Sequence, residues 1–223
     1  MTTKSGLLLV NKAKGITSFG LVRILRKITN VKKIGHAGTL DPIATGVMIM
    51  LIGQEYTKKS SQFVQMEKVY LATLFLGKST DTFDEEGKIL ATSNIIPTLT
   101  DVQKALVNFQ GEIEQIPPMY SAKKVNGQKL YQMARKGLTI ERKPIQVQLK
   151  IDFISYNYPY LKIRVHCSKG TYIRTLANDL GEQLKSKAYL FALTRESIGS
   201  YHLKDCIAQN DLPFSMYDYL RTS

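Results

Sequence analysis

The segment Gly35-His-Ala-Gly-Thr-Leu-Asp-Pro42 sets a histidine, a threonine and an aspartate between two glycines and a proline. Its small residues and proline make it a loop. The apolar run Val47 to Ile52 that follows reads as a buried strand. Such a loop can present one carboxylate on a rigid edge. Asp41 is also the first carboxylate of the chain, because residues 1–40 carry eight Lys and Arg and no acid. An ionised carboxylate there can serve as a nucleophile or a general base. By residue type alone, Asp41-Pro42 reads first as a turn opener, because Asp-Pro commonly starts turns.

Other chemistries lack their residues. There is no Gly-x-x-x-x-Gly-Lys phosphate loop, no dinucleotide fingerprint and no paired His-Glu metal motif. Asp81, Asp84, Glu85 and Glu86 lack the alternating ligands of a calcium loop. His36, His166 and His202 are far apart in sequence, and the last two read as structural. No nucleotide, redox cofactor or catalytic metal is expected.

The elements that must position this loop come from periodicity. Gly6 to Val10 reads as a buried strand, and Ser18 as the cap of a helix with Leu21, Val22, Leu25 and Ile28 on its apolar side. Val69 to Leu76 is a strand, and Lys78 to Gly87 a hairpin-like connection. Thr100-x-x-Gln103 fits a capping box opening a helix that buries Val102, Ala105, Leu106 and Phe109. Gln128 to Lys136 reads as a short basic helix stopped by Gly137, and Ile145 to Ile154 as a strand. Leu161, Ile163, Val165 and Cys167 alternate with Lys162, Arg164 and His166, the pattern of a half-buried strand with a basic outer face. A helix follows from Thr171, with Ile173, Leu176, Ala177, Leu180 and Leu184 inward. Strands and helices interleave without regular βαβ spacing. The expected fold is therefore α+β, a mixed, largely antiparallel sheet with flanking helices. No repeat or linker divides the 223 residues, so one continuous domain is expected.

Charge narrows the partner. Thirty-one Lys and Arg against 18 Asp and Glu give +13, and the excess is segregated. Beyond the basic first forty residues, Lys123 to Lys150 holds eight basic residues and one acid, Glu141. Segregated positive charge is the footprint of a polyanion. Nucleic acid is favoured over a membrane surface, because neither stretch is a long amphipathic helix. No apolar run is long enough to span a bilayer, no signal-peptide core is seen, and two cysteines without metal spacing suit a reducing compartment. The expected location is the cytoplasm.

The octapeptide, continuing Ile43-Ala-Thr-Gly-Val47, closely resembles the catalytic motif of the TruB family of tRNA pseudouridine synthases. Lys68-Val-Tyr70 with Gly77-x-x-Thr80-x-Thr82 resembles the family's second motif. Pro117-Pro-Met-Tyr-Ser-Ala-Lys123, with Gly127, Leu130-Tyr131 and Ala134-Arg135, resembles its tRNA-gripping arm. Cys167-Ser-Lys-Gly-Thr-Tyr-Ile-Arg174 through Asp179-Leu-Gly181, then Leu193-x-Arg195, resembles its closing signatures. These stand in family order over nearly the whole chain.

The resemblance implies isomerisation of the T-loop uridine at tRNA position 55, with Asp41 as the catalytic carboxylate. Arg174 matches the arginine that pairs with it, keeping it ionised and aimed. Tyr70 matches the tyrosine that stacks on the target base, Leu193 an apolar wall of its pocket, and His36 the ring that fills the place of the flipped uridine. Lys12, in a Lys-x-x-Gly loop, is expected to support the site. The inserted arm, about 117–150, is expected to clamp RNA with Lys123, Lys129, Arg135 and Lys136, and to be mobile without it. Partners beyond tRNA are not implied, and a monomer is expected.

The chain departs from the family in three places. Ala13 follows Lys12 where proline is usual, Gly53 to Lys58 is one residue longer, and about twenty residues follow Tyr201. No separate C-terminal RNA-binding domain is therefore expected. A non-catalytic RNA-binding protein on the same fold would share the charge but would not need Asp41, Tyr70 and Arg174 together. A closer alternative is an active pseudouridine synthase acting on ribosomal RNA or on several RNAs.

Overall fold

Val47, Met48, Ile49, Met50, Leu51 and Ile52 are each fully buried. Consecutive residues of a strand point to opposite faces, so both faces of this strand are covered. The computed structural model describes residues 5–125, 127–216 and 219–221. Lys4, counted above in the basic first stretch, lies outside them.

The elements, in chain order, begin with β1 (Gly6–Lys12), α1 (Ser18–Thr29), β2 (Ile34–His36), β3 (Thr45–Ile52), α2 (Gln54–Lys58), α3 (Ser60–Gln65) and β4 (Lys68–Leu76). There follow β5 (Lys78–Thr80), β6 (Ile89–Thr92), α4 (Leu99–Val107), β7 (Gly111–Gln115), β8 (Lys124–Val125), β9 (Gln128–Lys129) and α5 (Leu130–Ala134). The chain ends with β10 (Ile145–Asn157), β11 (Tyr160–Cys167), α6 (Ile173–Gln183), β12 (Ala188–Ile198), β13 (Tyr201–His202), β14 (Ile207–Ala208) and α7 (Leu212–Ser215). Two compact units form, residues 1–70 with 193–223, and residues 71–192; the divisions fall within β4 and β12.

In the first unit β1 runs antiparallel to β3, from Gly6 opposite Ile52 to Lys12 opposite Gly46. β14 adds parallel to β1, and β2 antiparallel to β3. The last part of β12 joins β3 in parallel, pairing Thr194 with Thr45 and Arg195 with Gly46. One face packs Leu7, Leu9, Val47, Ile49 and Leu51 against Tyr56, Phe63 and Ile198. In the second unit β10 is antiparallel to both β11 and β7. Leu161, Ile163, Val165 and Cys167 of β11 are buried, as their alternation predicts. α4 buries Val102, Ala105 and Leu106, and α6 buries Ile173, Leu176, Ala177 and Leu180. The class is α+β, with a mixed, largely antiparallel sheet and flanking helices, as expected. Among the described residues, no helix is long and apolar enough to cross a membrane.

Three local expectations are corrected. The cap of α1 is Thr17, whose hydroxyl accepts from Gly20 N; Ser18 has a tertiary partner instead. The capping box of α4 pairs Thr98 with Asp101 rather than Thr100 with Gln103, which puts the acid in the first turn, where the helix dipole favours it. Gln128 to Lys136 is not one helix. Gln128 and Lys129 pair back to Val125 and Lys124, and only Leu130–Ala134 is helical.

Candidate active site

Asp41 lies between β2 and β3, where Ala44 N donates to Asp41 O at 3.1 Å in a tight turn. Side chains distant in sequence hold both of its neighbours. The Ser18 hydroxyl, 3% exposed, donates to Leu40 O at 3.0 Å and accepts from Leu40 N at 2.9 Å. Lys12, fully buried, donates from Nζ to Ala13 O at 2.8 Å, Ile16 O at 2.9 Å and Pro42 O at 3.4 Å. Gly15 N also donates to Pro42 O at 2.8 Å. Arg195 reaches the same loop from β12, with NH1 3.3 Å from Thr39 O. The Asp41 backbone is thus fixed from both sides, while the residue itself stays half-buried. Sequence reasoning misses the roles of Ser18 and Arg195: the serine reads as a helix cap, and Arg195 enters only as part of the Leu193-x-Arg195 signature, with no sign of its acceptors.

His36, the last residue of β2, is half-buried. Its Nδ1 is buried without a hydrogen-bond partner among the described residues. Burial, and next the Arg195 charge, push its pKa down, against a smaller opposing effect of the Gly38 backbone. Burial and the Arg195 charge both favour the neutral ring. Tyr70 and Leu193, in β4 and β12, belong to the same unit and are 9% and 7% exposed.

Arg174 stands at the second position of α6, 6% exposed. Its NH1 donates to Thr82 O at 3.1 Å and to Asp84 Oδ2 at 3.3 Å, and its NH2 to Tyr120 O at 2.7 Å. Asp84 is itself 4% exposed and accepts from the Thr82 hydroxyl at 2.5 Å and Glu86 N at 3.1 Å. The acidic stretch of the hairpin-like connection thus contains a buried partner of Arg174. Acid spacing carries no sign of it.

The arm folds back on itself within the second unit. Leu130 N donates to Lys123 O at 2.9 Å and Tyr131 N to Ser121 O at 3.0 Å, and Arg142 NH1 donates to Pro117 O at 3.1 Å at its base. Lys129 Nζ and the Arg135 guanidinium lie 5.6 and 5.5 Å from the Tyr131 ring centre, within cation–π range. Arg135 and Lys136 are exposed, and Lys123 and Lys129 half-buried. This is a cationic surface suited to phosphates.

Known proteins are similar to this chain along most of its length. Relatives named tRNA pseudouridine synthase B are 55% identical in Protochlamydia amoebophila, over 91% of this chain and 77% of that one. In Chlamydia abortus the identity is 51% over 98% and 94%, and in Clostridium kluyveri 45% over 91% and 70%. A solved chain of a Cbf5-Nop10-Gar1 complex superposes with a TM-score of 0.75 at 24% identity, over 96% of this chain and 55% of that one, and shares the fold. With residues 26–173 also matching the model of the TruB family pseudouridylate synthase N-terminal domain, the chain belongs to the TruB family of pseudouridine synthases.

Proposed function

We propose that this chain isomerises uridine 55 in the T loop of tRNA to pseudouridine, with Asp41 as its catalytic carboxylate. The observation that carries this reading is the 51% identity to a tRNA pseudouridine synthase B along 98% of the chain. The clamped loop around Asp41 supports it. In the reaction the bond from N1 to C1′ breaks, the base turns, and C5 bonds to C1′. C5 gives up a proton and N1 gains one, so no electrons are exchanged and no cofactor or second substrate is required.

A carboxylate can add to the base, attack the sugar or remove a sugar proton. Each role needs it ionised and aimed, and Arg174 is the residue we assign to that task. The target must first leave its stack, at a cost of a few kcal/mol. A neutral His36 ring filling the gap recovers part of the stacking, worth roughly 1–3 kcal/mol per base. Tyr70 stacks on the flipped uracil, Leu193 walls its pocket, and Lys12 supports the loop. Residues 117–150 form an arm, mobile until RNA binds, whose Lys123, Lys129, Arg135 and Lys136 grip T-arm phosphates. The enzyme acts as a monomeric single catalytic domain in the cytoplasm, without a protein partner.

The test compares wild type with Asp41→Asn on an unmodified tRNA transcript, mapping pseudouridine by carbodiimide labelling and primer extension. Conversion at position 55 by wild type, with binding alone by the variant, is expected. Tight binding without conversion by either protein would leave an RNA-binding protein on a synthase fold. Conversion of ribosomal RNA but not tRNA would overturn the substrate.

A further inference from the structure

Arg195 is a cation with only 1% of its surface exposed. Its Nε donates to Val47 O at 2.7 Å, NH1 to Thr39 O at 3.3 Å, and NH2 to Gly38 O at 3.5 Å and Met48 Sδ at 3.0 Å. Among the described residues these acceptors are three carbonyls and a thioether, with no carboxylate. Burying a charge without a counter-ion is costly, and an apolar side chain of similar volume would fill the space at less cost. What a guanidinium adds is its fork, which spans several acceptors in a fixed plane.

The fork ties two segments together. Val47 and Met48 belong to β3, whereas Gly38 and Thr39 lie three and two residues before Asp41 in the loop. The anchor is itself immobilised. Arg195 pairs with Gly46 in parallel, and a Cβ on Gly46 would meet Arg195 O at 2.3 Å. Next to that pair, the hydroxyls of Thr45 and Thr194 are 2.9 Å apart.

We propose that Arg195 is a positioning residue for Asp41, fixing the Gly38–Thr39 backbone against β3 and so the direction in which the carboxylate is aimed. The inference rests on Asp41 being the catalytic group. A misplacement of about 1 Å at a reacting group costs on the order of a hundredfold in rate, so the effect belongs in the chemical step and not in RNA affinity.

The experiment measures single-turnover pseudouridine formation, tRNA dissociation constants and thermal melting for wild type, Asp41→Asn, Arg195→Lys and Arg195→Met. Arg195→Lys keeps the charge and loses the fork. It is expected to be about ten- to a hundredfold slower, with a dissociation constant within about threefold of wild type. The rate deficit should persist at temperatures where the variant is fully folded. Arg195→Met should be at least as slow. If it fails to fold, Ser18→Ala replaces it, releasing Leu40 on the other side of the loop and slowing the same step.

A wild-type rate in Arg195→Lys overturns the proposal, as does a deficit that disappears once the protein is fully folded. If wild type makes no pseudouridine, or Asp41→Asn matches it, the functional reading fails and this inference with it. An inactive Asp41→Asn beside a fully active Arg195→Lys removes the inference alone.

Discussion

The loop carrying Asp41 and the described residues of the arm stretch 117–144 both run on short or irregular backbone, but they are held in different ways. The loop is pinned by side chains from β1, α1 and β12. Ser18, Lys12 and Arg195 are each at least 97% buried and reach it across 22, 30 and 156 residues of sequence. The arm stretch is held mainly by backbone hydrogen bonds between near neighbours, such as Leu130 N to Lys123 O at 2.9 Å, and of its cations Arg135 and Lys136 are exposed while Lys123 and Lys129 are half-buried. The contrast suits the tasks we propose for the two regions. A reacting carboxylate must be aimed within a fraction of an ångström. Phosphates are held by charge and counterion release, which tolerate adjustment.

The largest test of this contrast sets Asp41→Asn against the triple replacement of Lys129, Arg135 and Lys136 by alanine. Asp41→Asn should lower the single-turnover rate by about a thousandfold or more, with little change in tRNA affinity. The triple variant should convert tRNA at close to the wild-type rate once RNA is saturating. A slow triple variant at saturation would mean that the arm aims the substrate as well as gripping it.

Next in size is the clamp itself. Lys12→Met removes the ammonium that serves three carbonyls and leaves buried acceptors to find other donors. Unsatisfied buried groups cost about 1–3 kcal/mol each, so a loss of about 2 kcal/mol in urea unfolding is expected. Wild-type stability in this variant would show that Gly15 N and local relaxation satisfy Pro42 O unaided.

The same contrast explains how much can be read from the sequence. β1, β3, β4 and β11 are legible because apolar runs and alternation report burial directly, and the Asp41 loop because its motif is contiguous. The helix caps are displaced because Thr17 and Ser18 are both competent, and what separates them is a bond from Ser18 to Leu40 across 22 residues. Gln128 to Lys136 has helical composition, yet its first two residues pair across Gly127, whose φ of +80° suits the turn. The partners of Arg174 and Arg195 are illegible for one shared reason. A buried cation is placed by tertiary acceptors, three of them backbone carbonyls in the case of Arg195, and a carbonyl has no sequence identity.

A smaller effect is expected when the arm cations are removed and affinity is read. Each phosphate left without its cation lowers the salt slope of binding by about 1. Arg135→Ala with Lys136→Ala should weaken tRNA binding about tenfold at moderate salt, or about 1.4 kcal/mol. The slope of log affinity against log salt should become shallower. An unchanged slope would mean that these two cations face solvent in the complex and that the first forty residues carry the grip.

The smallest effect separates the two regions by pH. His36 is the one histidine of the loop, and residues 117–150 contain none. Burial first, and then the Arg195 charge, hold the His36 pKa below its ordinary value of 6.5, so folding favours the neutral ring. A group depressed in the folded state contributes stability that is complete above its unfolded pKa and is lost as pH falls through the folded one. The urea midpoint of wild type should therefore decline as pH drops below about 6.5, before the carboxylates titrate. In His36→Gln, which fills similar space but does not ionise, that part of the decline should vanish. An equal slope in the two proteins would mean that the ring takes up its proton without leaving the loop, and that its surroundings are wetter than its burial implies.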